Sequence, residues 1–231
     1  MSKILVVAAH PDDEILGVGG TMAALSEQGH EVFVLIVTEG CSSQYQGQDV
    51  QRLIADKKAC ALQAGKLVGV RQVLFGDLPD MRLDTLPHVE INRVIERAIR
   101  QVGPEVVFTH HFGDVNRDHQ RVYESTLVAV RPVQGACVRK VYTYETLSST
   151  EWQETDPRFA FVPNTYHDIS SQLDRKIEAL LTYEQEVREY PHPRSAQAIR
   201  NLAMLRGQSV GMLAAEAFCL VRDCRREYAS L

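Results

Sequence analysis

Long apolar runs, paired cysteines and a surplus of positive charge are all missing from this sequence. No hydrophobic run approaches the roughly 18 residues of a membrane-spanning helix. Met1-Ser2-Lys3 leads straight into an apolar stretch, without the charged start, apolar segment and cleavage site of a signal peptide. The cysteines at 41, 60, 137, 219 and 224 are odd in number and scattered, so neither a zinc knuckle nor a dithiol redox motif is expected. A reducing cytoplasm is the location these features imply. Acidic residues outnumber basic ones, 30 to 25, and the net charge is −5. With no basic run, nucleic acid is not an expected partner. Repeats, low-complexity tracts and linkers are absent too, so residues 1–231 are expected to form one domain, its last third from about 145 walling the site.

What is present is an ordinary globular composition, 45% hydrophobic and 24% charged. Residues 4–9 form a continuous apolar run, the pattern of a strand buried on both faces. A polar loop at 10–14 follows, then a helix over 17–28 stopped by Gly29. Further strands are expected at 32–38, 72–75 and 106–109, and helices at 51–67 and 88–101. Strands alternating with helices predict βαβ crossovers, hence an α/β fold: a Rossmann-like three-layer sandwich with a mostly parallel sheet. Beyond Arg121 the order changes. A helix to about 130, strands near 138–144 and 161–169, helices over 171–187 and 196–212, and a final apolar stretch at 217–221 are expected there.

In an open α/β sheet, ligands bind beyond the carboxyl ends of the strands. Two polar clusters fall there: His10-Pro11-Asp12-Asp13-Glu14 after the first strand, and the run from His110 to His119 after the strand ending at Thr109. Together they mix imidazole and carboxylate in the way that suits zinc. A catalytic zinc needs three protein ligands and an open position, which His10, Asp13 and His119 would supply if the two loops are neighbours. Asp12 can point the other way and serve as a base. Each histidine alone would more often be structural, and Asp12 or Glu14 could be simple helix-start residues. Gly17-Val18-Gly19-Gly20 is a poor dinucleotide loop, because the acidic segment before it would repel a pyrophosphate. The residues alone leave open a non-catalytic sugar- or nucleotide-binding protein and a metal-dependent hydrolase of some other amide.

His10-Pro11-Asp12-Asp13-Glu14 after an apolar strand, with a later Asp118-His119, resembles the LmbE-like or PIG-L family of zinc N-deacetylases. The likeness extends to Thr38-Glu39-Gly40, Asp80, Pro191-His192-Pro193-Arg194-Ser195, Arg206-Gly207 and Glu216-Ala217-Phe218. Members act on N-acetylglucosaminyl phosphatidylinositol and on glucosaminyl intermediates of the thiols mycothiol and bacillithiol. The resemblance implies Zn2+ as cofactor, His10, Asp13 and His119 as its ligands, Asp12 as general base and a small-molecule N-acetyl sugar as substrate; a homo-oligomer is compatible with the sequence. One departure stands out. Many members carry a histidine three residues before the last ligand, where this chain has Asn116. Asn116 can donate a hydrogen bond but no proton, so His192 is expected to assist the intermediate, with Asn116, His111 and Asp114 behind it. Arg194, His111 and Asp114 are the residues expected to meet substrate.

Overall fold

The computed structural model describes residues 1–41 and 49–224. Its first strand, β1 (Lys3–Ala8), is the apolar run read from the sequence. Successive strand residues face opposite ways, so Leu5 and Val7 enter one apolar cluster while Ile4 and Val6 enter the other. Elements α1 (Asp13–Glu27), β2 (Glu31–Thr38), α2 (Val50–Leu67), β3 (Gln72–Leu78), α3 (His88–Val102), β4 (Val106–His110) and α4 (Arg117–Ala129) then alternate. The chain continues through β5 (Lys140–Tyr144), β6 (Thr165–Asp168), α5 (Leu173–Leu181), α6 (Ala196–Gln208) and β7 (Ala215–Asp223).

The seven strands form one sheet in the order β3-β2-β1-β4-β5-β7-β6. Every pairing from β3 to β5 is parallel, whereas β7 runs antiparallel to both β5 and β6. Helix α3 (Ile91, Ile95, Ile99) and α4 (Val122) cover one face. On the other lie α1 (Ile15, Leu16, Val18, Met22), α5 (Leu173, Ile177, Leu180) and α6 (Ile199, Ala203). This is the Rossmann-like α/β sandwich that the alternation predicts. Because β1 has β2 on one side and β4 on the other, the strand order reverses there, and a crevice opens beyond the ends of β1 and β4. No helix among the described residues is long and apolar enough to cross a membrane.

Three expectations change. Helix α1 begins at Asp13, not at residue 17, because the Asp12 carbonyl already accepts from the Ile15 and Leu16 amides at 3.0 and 2.9 Å. The glycines thus lie inside the helix, where each costs roughly 0.5–1 kcal/mol, and packing explains them. A Cβ on Gly17 would overlap the Tyr144 ring, and one on Gly20 would come within 2.8 Å of Ile169. The helix expected over 171–187 ends at Leu181, and the chain after it turns back towards α1. The final apolar stretch is an inserted antiparallel strand, β7, which apolarity alone does not distinguish from another parallel one.

Candidate active site

The crevice beyond β1 and β4 receives both polar clusters. His10 lies two residues past the end of β1, after Ala9, and His119 sits in the first turn of α4, whose N-cap is Asn116 accepting from the Asp118 amide. Between the ligand candidates the backbone is strained: Asp12 has φ 116°, a region that disfavours any residue with a Cβ. Hydrogen bonds hold the turn in that shape. The His10 amide donates to Asp13 Oδ2 (2.8 Å) and the Asp12 amide to Glu14 Oε2 (3.0 Å). Tyr183, just past α5, donates its hydroxyl to Glu14 Oε1 at 2.5 Å. Burial pushes the Glu14 carboxyl up to about 8.

Three ligand atoms converge. His10 Nδ1 lies 3.2 Å from Asp13 Oδ2 and 3.2 Å from His119 Nε2, and His119 Nε2 lies 3.3 Å from Asp13 Oδ2. A tetrahedral ion with bonds of ~2.0–2.1 Å sets its ligands about 3.3 Å apart. The triangle therefore fits a zinc-sized cation, and Asp13 Oδ1, buried with no hydrogen-bond partner among the described residues, is the kind of atom such an ion leaves unpaired. The electrostatics agree. Burial works to lower the His119 pKa, yet Asp13 and Asp114 raise it to about 9. Burial would likewise raise Asp13, but the His119 ring and the hydrogen bond from His10 hold its carboxyl well below the usual range.

Each histidine turns its other nitrogen to a carboxylate, the arrangement that fixes a metal-binding ring. His10 Nε2 lies 3.1 Å from Asp118 Oδ2, and the Asp118 carboxylate also accepts from the Met81 and Leu83 amides. His119 Nδ1 lies 3.1 Å from Asp114 Oδ2, and the Asp114 carboxylate is held in turn by the Ser149 hydroxyl on Oδ1 and the Thr150 hydroxyl on Oδ2. His110 stacks on His119 with ring centroids 3.9 Å apart. Its Nε2 accepts from the Ala9 amide at 2.9 Å, which places the ring proton on Nδ1, facing Thr146 Oγ1. Burial, with His119 nearby, drives the His110 pKa well below 6.5, so the ring is neutral, and because its Nε2 lone pair is taken by the Ala9 amide it serves as packing against His119.

A small cavity of 60 Å³ opens against His10, Asp12, Lys57, Asp80, Asn116, Glu186 and Arg194. Burial raises the Asp12 carboxyl to about 7, against the pull of Arg194, whose Nη1 is 3.0 Å from Asp12 Oδ2. Arg194 also binds Glu186 (2.9 Å) and the Ser148 hydroxyl (2.7 Å), and Glu186 pairs with Lys57. Asn116 caps α4 through Oδ1 and keeps its Nδ2 at the cavity, 3.6 Å from Met81 Sδ. A larger hollow of 680 Å³, lined by Phe112, Tyr123 and Phe159 among others, holds none of these groups.

Three expected positions differ. His192 is not among the described residues lining the cavity; its ring stands edge-on to Trp152 and its Nδ1 accepts the Arg194 amide at 3.1 Å. His111 is turned to the Phe159 carbonyl at 2.9 Å, away from the ligand triangle. Asp114 is wholly buried behind His119, where both oxygens are engaged, so it orients the His119 ring instead of meeting a substrate. Sequence reasoning did not assign Asp118, His110, Ser149, Tyr183, Glu186 or Lys57. The first two adjoin recognised residues; the others come from distant segments, and only folding brings them in.

The family profile described as PIG-L: GlcNAc-PI de-N-acetylase matches residues 5–130, more than half the chain and both ligand clusters. The chain belongs to the PIG-L family. A curated relative, the 1D-myo-inositol 2-acetamido-2-deoxy-alpha-D-glucopyranoside deacetylase of Rhodococcus jostii, is 27% identical over 97% of this chain and 93% of its own. Among solved structures, the N,N'-diacetylchitobiose deacetylase of Pyrococcus horikoshii superposes with a TM-score of 0.78 at 20% identity, over 96% of this chain and 84% of that one. GalB, the 4-carboxy-2-hydroxymuconate hydratase of Pseudomonas putida KT2440, shares the fold equally, with a TM-score of 0.76 at 22% identity over the full length of both chains. The PIG-L fold thus carries more than one reaction, and the site must decide which.

Proposed function

We propose that this PIG-L protein is a zinc-dependent N-deacetylase that hydrolyses the acetamido group of an N-acetylated amino sugar or its conjugate to the free amine and acetate. The observation that carries the reading is the His10–Asp13–His119 triangle with the Asp12 carboxyl beside it. Those three residues would hold the zinc, whose chemistry when bound is to polarise a carbonyl and lower the pKa of water towards about 7. Asp12, with a pKa near 7, suits both halves of the proton traffic. It takes a proton from the attacking water, and returns one to the amine nitrogen as the C–N bond breaks. Arg194 holds the Asp12 carboxylate in place. Asn116 Nδ2 is assigned to donate a hydrogen bond to the oxyanion, the task first expected of His192. Support for a sugar comes from the family description and from the acetamido-glucopyranoside and diacetylchitobiose named for the relatives. The five cysteines, all free, suit a cytoplasmic location.

The GalB likeness favours one second reading, addition of water across a carbon–carbon double bond. One experiment separates the two. Protein purified without chelator is analysed for metal, then incubated with a panel of N-acetylated amino sugars and their glycosides while acetate and primary amine are both measured. About one zinc per chain and equal yields of acetate and amine are expected. Metal-free protein, or metal-loaded protein that releases neither product from any member while hydrating an enoic acid, overturns the proposal.

A further inference from the structure

We infer that the buried Lys176–Glu216 ion pair is a positioning device for the metal-ligand turn, fixing the first turns of α1 and with them the Asp13 carboxylate. The inference rests on the reading of His10, Asp13 and His119 as a zinc site. Lys176 lies on α5 and Glu216 on β7, and both are buried. Their side chains meet at 2.6 Å beneath α1. Lys176 Nζ also donates to the Leu16 carbonyl at 2.8 Å, and the two Glu216 oxygens accept from the Gly20 and Thr21 amides, each at 2.8 Å.

In a regular helix the Gly20 amide bonds the carbonyl four residues back, that of Leu16. The ion pair bridges those two groups, and side chains that insert into the helical ladder bend helices. Gly19 leaves the room: a Cβ there would stand 3.1 Å from Lys176 Cγ. The Leu16 carbonyl is one turn from Asp13, so the pair's position sets the direction in which that turn points. Stability gives no sufficient reason for such a pair, since a buried salt bridge is often worth no more than apolar side chains of the same volume. Its contacts give another, because among the described residues every side-chain hydrogen bond it makes besides its own goes to α1. The C-terminal region thereby registers the ligand-bearing helix against β1 and β4.

The test is zinc affinity, measured by competition with a chromophoric chelator, alongside the thermal midpoint and kcat. In Lys176→Met/Glu216→Leu the midpoint is expected to stay near or above that of the wild type, while zinc affinity falls roughly 10- to 100-fold, the scale of losing a group that orients a ligand. A purely structural pair would lower the midpoint and leave the affinity of the folded protein alone, and wild-type affinity in the folded double variant overturns the inference. Should that variant not fold, Glu216→Asp decides, because it keeps the charges and withdraws the carboxylate by one methylene. Affinity weakened about 10-fold is expected of it; unchanged affinity overturns the inference. Zinc binding by the wild type keeps the two readings distinct: if it binds and the folded variants bind equally, only the positioning role fails, and if it does not bind at all, the zinc site itself fails.

Discussion

In the parallel half of the sheet, the groups of the site stand at strand ends and helix starts: His10 just beyond β1, Asp13 opening α1, His119 in the first turn of α4. In the C-terminal third they reach in from a distance on long side chains, Tyr183 to Glu14, Arg194 to Asp12, Lys176 and Glu216 to the α1 backbone. Short side chains on rigid backbone fix an ion to a fraction of an ångström. Long ones adjust charge, orientation and access. The difference implies a division of labour: the first region supplies the candidate metal ligands, while the second positions them from outside through Lys176 and Glu216 and tunes turnover through Arg194.

The largest effect tests the first region. His119→Ala removes one corner of the triangle and leaves Asp114 and Asp13 without the ring between them. Zinc content is expected to fall to a small fraction, and activity by more than the ~10²-fold typical of losing a supporting group. The fold should persist, because the apolar clusters on the two faces of the sheet do not include this ring. Full zinc and full turnover in the variant would remove His119 from the site. Asp12→Asn comes next. It keeps the side chain's shape and removes its proton acceptor, so turnover should fall roughly 10²- to 10⁴-fold with zinc retained. Wild-type turnover in that zinc-loaded variant would take Asp12 out of the mechanism.

The same division explains what the sequence discloses. Buried parallel strands announce themselves as apolar runs, and chemistry at their ends falls within a short polar segment, so His10, Asp12, Asp13 and His119 can be read in a line. The carboxylates behind the rings were nearly legible. Asp114 and Asp118 stand in the same segment as His119, but which ring each of them faces depends on the turn that Asn116 caps. In the C-terminal third the periodicity runs on past Leu181 although the helix stops there, because Tyr183 and Glu186 are drawn to Glu14 and Lys57, partners far away in sequence. His192 looked poised between two prolines, yet its ring nitrogen closes a local turn. No local pattern encodes those choices.

Arg194→Met sharpens the comparison from the second region. The methionine fills similar space without the charge that binds Asp12 and Glu186. Zinc binding should be close to wild type, while kcat falls roughly 10- to 10²-fold, less than for a lost general base. Simultaneous loss of zinc would erase the division of labour.

The smallest effect concerns stability and tests whether the C-terminal sheet edge also does ordinary core work. His167 on β6 packs against Phe218, with ring centroids 4.9 Å apart, and against Phe108 and Tyr142. Burial lowers its pKa below 6.5, with Lys140 acting in the same direction and Glu216 against it. The folded protein therefore holds this ring neutral at a pH where the unfolded chain takes up a proton. Stability tied to His167 is complete above about pH 6.5 and is lost as the pH falls below that towards the lowered folded value, since the unfolded state then binds more protons. His167→Phe removes this titration while keeping an aromatic ring in the cluster. Thermal midpoints measured from pH 7.5 down to pH 5 should fall less steeply for the variant than for the wild type, with zinc content and kcat at neutral pH unchanged. Parallel profiles would show that the ring reaches water on protonation, and that this edge of the sheet opens more readily than its packing implies.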